Sequence, residues 1–321
     1  MSIVLLIIGF FLLIKGADWL VGGARSIALR FGISELIIGL TIVALGTSMP
    51  ELIVSLLASI QGSPGMAIGN VMGSNIANVL LILGLTAVIR PLPVHRNTVL
   101  SEIPFSIAAA MLLGFLANAA LPWETGEEHF ISRSDGGLIL FFFLLFAGYV
   151  FVTSRDSGSA DDTPAPVAEQ QPSWKSALYI AVGVGGLFLG GKWVVDGART
   201  IGALLGLSES FMGLTIVAIG TSLPELVTSV VAARRGNTDI AVGNIVGSNI
   251  FNILWILGIC SLVSPLPFDP HSNVDLFVVL ASGSMVLGAL MLRRQMAIGR
   301  PEGVVFLLTY VGYVVYLVGR G

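Results

Sequence analysis

Residues Gly39-Leu-Thr-Ile-Val-Ala-Leu-Gly-Thr-Ser-Met-Pro-Glu51 return as Gly213-Leu-Thr-Ile-Val-Ala-Ile-Gly-Thr-Ser-Leu-Pro-Glu225, changed at two positions. At this fixed offset the two halves of the chain align without a gap from their first apolar segments to the Pro-Leu-Pro of 91–93 and 265–267. Fifteen of 23 positions are identical between 34–56 and 208–230. Both copies lie in apolar surroundings: of 321 residues, 55% are hydrophobic and only 11% charged. Apolar segments of about 20 residues, enough to cross a hydrocarbon core of roughly 30 Å, recur along nearly the whole chain. This composition predicts a polytopic helical membrane protein. A carboxylate inside such a helix is costly and marks a functional site. One that is repeated points to a cation.

The pattern predicts ten helices, at about 3–24, 33–60, 66–89, 98–121, 135–153, 175–198, 207–233, 239–263, 273–292 and 302–319. Residues 154–174, rich in Ser, Asp, Ala, Pro and Gln, read as a flexible linker. Asp156, Asp161 and Asp162 there lack the glycine turn and terminal glutamate of an EF-hand loop. Residues 1–153 and 175–321 then form two repeats of five helices each. Because five is odd, the second repeat enters the membrane from the opposite side. The expected fold is all-α, with two inverted repeats about an axis in the membrane plane, an arrangement found in transporters.

Lys and Arg in the connections set the orientation. Arg25, Arg30, Arg90, Arg96, Arg155, Lys175, Arg234, Arg235, Arg293, Arg294 and Arg300 fall on one side, and only Arg133, Arg199 and Arg320 on the other. Both termini are therefore expected outside and the linker in the cytoplasm. Glu124, Glu127, Glu128 and Asp135 then lie outside, in a solvated loop. A multi-pass protein of the cell membrane is expected, in the inner membrane if the cell has two. The first helix reads as uncleaved, since no basic residue precedes its apolar stretch and no small-residue cleavage site follows.

Several function classes drop out. There is no basic patch for nucleic acid, and no P-loop for an ATP-driven pump. The lone Cys260 allows neither an internal disulfide nor a thiolate metal cluster. The chain does not read as an enzyme, and neither a cofactor nor an obligatory protein partner is inferred; its expected surroundings are the lipid bilayer. His95, His129 and His271 have no partner pattern and receive no role.

Hard oxygen ligands gather around the repeated motif. Ala44, Ser48 and Glu51 fall at i, i+4 and i+7, with Thr47 four residues before Glu51, so all share a helix face. Pro50 lacks an N–H and its ring pushes on the Gly46 carbonyl. Carbonyls of that turn, Ala44 included, are expected to lose their partners and turn towards an ion. Hydroxyl, carbonyl and carboxylate oxygens suit Na⁺ and Ca²⁺. The same reasoning covers Ala218, Thr221, Ser222, Pro224 and Glu225. The third and eighth helices add Gly69-Asn-Val-Met-Gly-Ser-Asn-Ile-Ala-Asn78 and Gly243-Asn-Ile-Val-Gly-Ser-Asn-Ile-Phe-Asn252, with Ser74 and Asn78, and Ser248 and Asn252, four apart on one face. Their glycines at 69, 73, 243 and 247 allow close helix approach.

Gly-Thr-Ser-x-Pro-Glu twice, each followed by Gly-Ser-Asn-Ile-x-Asn, resembles the cation/calcium exchangers, and among them the sodium/calcium antiporters of prokaryotic type. The likeness covers essentially the whole chain. It implies four central cation sites in a diamond, taken alternately by Na⁺ and Ca²⁺. On these positions Glu51 and Glu225 would be the shared carboxylates, with Thr47 and Thr221 helping to hold Ca²⁺ through main-chain or side-chain oxygen. Ser48, Ser74, Ser248 and the Ala44 carbonyl would line one outer Na⁺ site. Ser222, Ser248, Ser74 and the Ala218 carbonyl would line the other. Asn78 and Asn252 would complete the centre. Some members have Asp where this chain has Asn252, so the site's carboxylate charge here is two, which balances one Ca²⁺ or two Na⁺.

The resemblance also implies that the first and sixth helices slide over the core. Lys15 with Asp18, and Lys192 with Asp196, share helix faces at spacings of three and four and read as self-neutralising pairs. The resulting reading is a secondary antiporter that exchanges Na⁺ for Ca²⁺ by alternating access and extrudes Ca²⁺. A ratio of three to one would move one charge per cycle, worth about 2.3 kcal/mol per 100 mV. The rivals are a proton/calcium exchanger of the same superfamily, a cation channel, and a non-transporting scaffold.

Overall fold

The computed structural model describes residues 2–62, 64–96, 98–119, 129–156, 172–204, 218–292 and 296–320. Its helices are α1 (Ser2–Phe31), α2 (a bent pair, Glu35–Thr47 and Met49–Ile60), α3 (64–89), α4 (Thr98–Asn118), α5 (Arg133–Asp156), α6 (Ser173–Leu204), α7 (218–235), α8 (Thr238–Val263), α9 (Ser272–Leu292) and α10 (Arg300–Arg320). Among the described residues eight helices are long and apolar enough to cross a membrane, and the bent pair makes a ninth. Of the seventh expected helix, residues 207–217 lie outside the described residues, as do residues 157–171 of the expected linker.

Several helices outrun their expected ends. α1 continues past residue 24 to Phe31, α5 reaches Asp156, and α6 reaches Leu204. Hydropathy marks where the apolar stretch ends, whereas residues such as Arg25 and Arg30 are good helix formers that extend the helix into water. What stops α1 is Gly32, at φ 63°, a left-handed position that glycine takes without strain. Ser34 then caps α2, its Oγ accepting from Ile37 N–H at 3.3 Å. Arg25 Nε meets Glu35 Oε1 at 3.0 Å across this corner.

Burial separates a centre from a periphery. The apolar windows of α8 and α3 are 83% and 72% buried, against 11% for α10. α8 reaches α2 at backbone distance: a Cβ on Gly243 would stand 2.5 Å from the Leu36 carbonyl oxygen, and one on Gly247 2.7 Å from that of Leu40. The matching neighbours of Gly69 and Gly73 would fall on 210 and 214, outside the described residues. α1 and α6 pack equally closely, since a Cβ on Gly16 would lie 2.8 Å from the Gly183 carbonyl oxygen. Two short antiparallel ribbons tie loops of the two halves together: Leu92–Pro93 (β1) pairs with Ala297–Ile298 (β4), and Phe130–Ile131 (β2) with Leu266–Pro267 (β3).

Two expectations about charges need correction. Asp18 does not neutralise Lys15; its Oδ1 lies 2.6 Å from Nη2 of Arg235 at the end of α7. Lys15 is exposed and extends into its surroundings, while the long Arg235 side chain arrives from the packed neighbour. Lys192 and Asp196, both exposed, likewise form no ion pair with each other among the described residues. His95, given no partner, has one: its Nε2 sits 3.0 Å from Asp239 Oδ2 at the start of α8. Neither long-range partner follows from a local spacing rule.

Candidate functional site

Helices α2 and α7 break at equivalent serines, Ser48 (φ −84°, ψ 5°) and Ser222 (φ −85°, ψ 5°), each two residues before a proline. Pro50 has no N–H, so the Gly46 carbonyl loses its donor four residues on. The ladder resumes with Leu52 N–H donating to Ser48 O at 3.1 Å, and Leu226 N–H to Ser222 O at 3.0 Å. α2 bends by 46° at its break. The Ala44 carbonyl, expected to be stripped of partners, keeps the Ser48 N–H at 3.0 Å; Thr47 Oγ1 lies 3.3 Å away, but its one proton has the shorter contact to Asn244 at 3.0 Å. The proline removes the donor for Gly46, not for Ala44, which can meet an ion only with a remaining lone pair.

The breaks place Glu51 and Glu225 in the first turn of a helix, where the N-terminal partial charge favours a carboxylate. Both glutamates are 1% exposed. Each is held by the other half of the chain. Ser48 Oγ donates to Glu225 Oε1 at 3.0 Å and lies 3.0 Å from Ser248 Oγ. Ser222 Oγ donates to Glu51 Oε1 at 3.3 Å and lies 3.2 Å from Ser74 Oγ.

Where α3 and α8 cross this layer, both widen into π-helical turns, Ala77–Leu83 and Phe251–Leu257, which contain Asn78 and Asn252. Such bulges are common at functional sites. Asn78 Nδ2 donates to Asn249 Oδ1 at 3.0 Å and Asn252 Nδ2 to Asn75 Oδ1 at 3.0 Å. Of the buried side-chain oxygens without a hydrogen-bond partner among the described residues, four belong to this layer: Glu51 Oε2, Glu225 Oε2, Asn78 Oδ1 and Asn252 Oδ1. They form two equivalent pairs. Each unsatisfied buried acceptor costs about 1–3 kcal/mol, more when charged. All four are acceptors and two belong to acids, so the chemistry they lack is that of a cation. These donors are carboxylate and amide oxygens, hard ligands throughout.

The expected residues Thr47, Ser48, Glu51, Ser74, Asn78, Thr221, Ser222, Glu225, Ser248 and Asn252 are all buried in this layer. Ala44 is buried beside them, and Ala218 opens the described part of α7, where only its backbone is described. Sequence reasoning gave no role to a second ring of side chains. Thr47 Oγ1 donates to Asn244 Oδ1 at 3.0 Å, and Asn244 Nδ2 to Ser229 Oγ at 3.0 Å. In the other half Thr221 Oγ1 meets Asn70 Oδ1 at 3.4 Å, and Asn70 Nδ2 donates to Ser55 Oγ at 3.0 Å. The signal was present: Asn70, Ser74 and Asn78 are spaced by four, as are Asn244, Ser248 and Asn252, which puts each trio on one helix face.

With this geometry in view, the chain can be set beside known proteins. Residues 1–152 and 175–319 match the family model described as sodium/calcium exchanger protein. The chain is 38% identical over 316 residues to the putative antiporter CaxA of Alkalimonas amylolytica, covering 97% of this chain and 96% of that protein. It is 38% identical over 319 residues to the inner membrane protein YrbG of Escherichia coli K12, covering 98% and 94%. To the sodium/calcium exchanger MaX1 of Methanosarcina acetivorans it is 33% identical over 345 residues, covering 98% of each. Among solved structures, the sodium-calcium exchanger NCX_Mj soaked with 2.5 mM Na⁺ and 0.1 mM Ca²⁺ superposes with a TM-score of 0.80 at 34% identity, over 98% of this chain and 97% of that one.

Proposed function

Because the chain belongs to the sodium/calcium exchanger family, we propose that this membrane antiporter exchanges Na⁺ for Ca²⁺ by alternating access, with Glu51 and Glu225 as the carboxylates both ions share. The observation that carries the reading is the set of four buried acceptor oxygens without donors, two of them on carboxylates, held by hydroxyls and amides contributed crosswise by the two halves. Ca²⁺ takes the centre, on Glu51, Glu225 and the oxygens of Thr47 and Thr221. The Thr47 hydroxyl donates to Asn244 and the Thr221 hydroxyl to Asn70, which turns the protons away and lets these oxygens, as well as the main-chain ones, face an ion. Na⁺ uses the outer serines Ser48, Ser74, Ser222 and Ser248 with the Ala44 and Ala218 carbonyls, and Asn78 and Asn252 face the centre.

Exchange is obligatory for an electrostatic reason. With no cation bound, two buried negative charges would cross the membrane unpaired, at a cost of several kcal/mol per ion. Two carboxylates balance one Ca²⁺ or two Na⁺, and a third Na⁺ in the outer sites moves net charge, so Ca²⁺ leaves the cell down the inward Na⁺ gradient. The architecture belonging to this reading has ten spanning helices in inverted repeats, 1–153 and 175–321, joined by a cytoplasmic linker at 154–174, with both termini outside.

The test is radiolabelled Ca²⁺ uptake into proteoliposomes loaded with Na⁺, K⁺ or acidic buffer. Uptake from Na⁺-loaded vesicles alone is expected. Uptake driven by acid loading and indifferent to Na⁺ would replace sodium with the proton, and uptake without any counter-ion would indicate a channel.

A further inference from the structure

The two asparagines that face the cation layer are ambiguous ligands. An amide offers an oxygen on one side and an NH₂ on the other, and only the first attracts a cation. What decides the choice at Asn252 is a chain of bonds anchored on the main chain. The backbone carbonyl of Asn249 can only accept, and it receives Asn75 Nδ2 at 3.2 Å. That fixes the Asn75 amide, whose oxygen must then meet Asn252. Asn252 answers with its Nδ2 at 3.0 Å, so its oxygen is the atom left towards the layer, buried and without a donor. Asn75 itself is 1% exposed, so water does not compete for these bonds.

We infer that Asn75 is a positioning residue: it holds the Asn252 amide with its oxygen towards the cation, and thereby sets Ca²⁺ affinity without touching the ion. The inference rests on the exchanger reading above. Asn249 plays the matching part for Asn78, whose Nδ2 it receives at 3.0 Å. Its hold is weaker, because the corresponding bond from Asn249 Nδ2 to a backbone carbonyl is not formed among the described residues, and Asn249 instead borders a small apolar cavity with Val79, Ile103 and Val246. Asn75 therefore matters more than Asn249, although the two occupy equivalent places in the repeated motif.

The experiment measures the Ca²⁺ concentration for half-maximal Na⁺-driven uptake in Asn75→Leu, close in size to the native side chain, in Asn75→Asp, and in Asn75→Leu combined with Asn252→Asp. Asn75→Leu frees the Asn252 amide and is expected to raise the half-saturating Ca²⁺ about tenfold, with the effect shrinking to within about twofold in the Asn252→Asp background, because a carboxylate has no wrong face. Asn75→Asp still accepts from Asn252 through one oxygen but sets the other against the Asn249 carbonyl, where Nδ2 donated, so it is expected to lose affinity, but clearly less than Asn75→Leu. Equal losses from Asn75→Leu in both backgrounds, or a loss in Asn75→Asp matching that in Asn75→Leu, would reduce Asn75 to packing and overturn the inference. Asn75→Ala replaces the leucine variant if that one does not fold, and the aspartate comparison stands even if Asn252→Asp is inactive. The unaltered protein separates the two levels: no Na⁺-driven uptake there sinks the exchanger reading, whereas normal uptake with equal losses sinks only the role of Asn75.

Discussion

At the centre of the molecule Ser48 meets Glu225 at 3.0 Å and Ser222 meets Glu51 at 3.3 Å, two copies of one contact. At its edge the copies part company. Asp18 holds Arg235 at 2.6 Å, but the positions equivalent to these two in the other half are Lys192 and Gln61, which cannot form an ion pair. His95 meets Asp239 at 3.0 Å, and their equivalents are Asp269 and Gly65. The buried layer tolerates little change, because each polar atom there must be satisfied and each misplaced one costs about 1–3 kcal/mol. The edge is solvated, where an ion pair contributes roughly 0–1 kcal/mol and its residues are free to differ. The two halves are thus alike in the serine–glutamate contacts of the buried layer and unlike at the solvated edge, and the unlike edge contacts cluster where α7 ends and α8 begins.

The comparison can be broken most directly at the carboxylates. Glu51→Gln and Glu225→Gln should each abolish Ca²⁺ uptake in proteoliposomes, by about a hundredfold or more, as expected when one member of a buried charge set is removed. Retained transport in either one alone would end the equivalence of the copies. Ser48→Ala and Ser222→Ala come next. Each removes a hydroxyl from the opposite glutamate, and each should cost about 1.5–3 kcal/mol, read as matching rises in half-saturating Na⁺ or Ca²⁺; a large effect in one with none in the other would show that the centre is not symmetric in use.

Gly243→Val tests packing apart from chemistry. Its Cβ would stand 2.5 Å from the Leu36 carbonyl oxygen, so thermal unfolding in detergent should reveal a loss of about 1–3 kcal/mol. An unchanged melting temperature would mean that the α2–α8 contact yields easily. The smallest effect belongs to the edge. Arg235→Gln removes a pair whose side chains are 44% and 26% exposed, so after screening it should cost less than about 1 kcal/mol and vanish in high salt. Lys192→Ala, at the place equivalent to Asp18, should leave the melt unchanged; equal effects would erase the distinction between the two ends.

Much of this was legible beforehand. The duplication, the prolines and the two intramembrane glutamates announce the breaks in α2 and α7 and the acidic centre, because each is written in a short, local pattern. Ser74, Asn78, Ser248 and Asn252 were found by their spacing of four. Asn70 and Asn244 carry the same spacing but receive no role from it, since an asparagine in a membrane helix reads first as an interhelical hydrogen bond. The Ala44 carbonyl was misjudged because the effect of Pro50 was spread over the whole turn, whereas a missing N–H strips one carbonyl only.

What the sequence by itself determined is therefore a mostly helical membrane architecture, where two of its helices break, and which oxygens are available near the centre. Only the tertiary structure decided that Ser48 serves Glu225 rather than the nearby Glu51, that Asp18 takes Arg235 rather than Lys15, and which face the Asn252 amide presents. The reason is physical. Periodicity and proline chemistry act within a turn or two of one helix, while these pairings join residues more than 170 positions apart and exist only once α1, α2, α3, α7 and α8 have packed against one another.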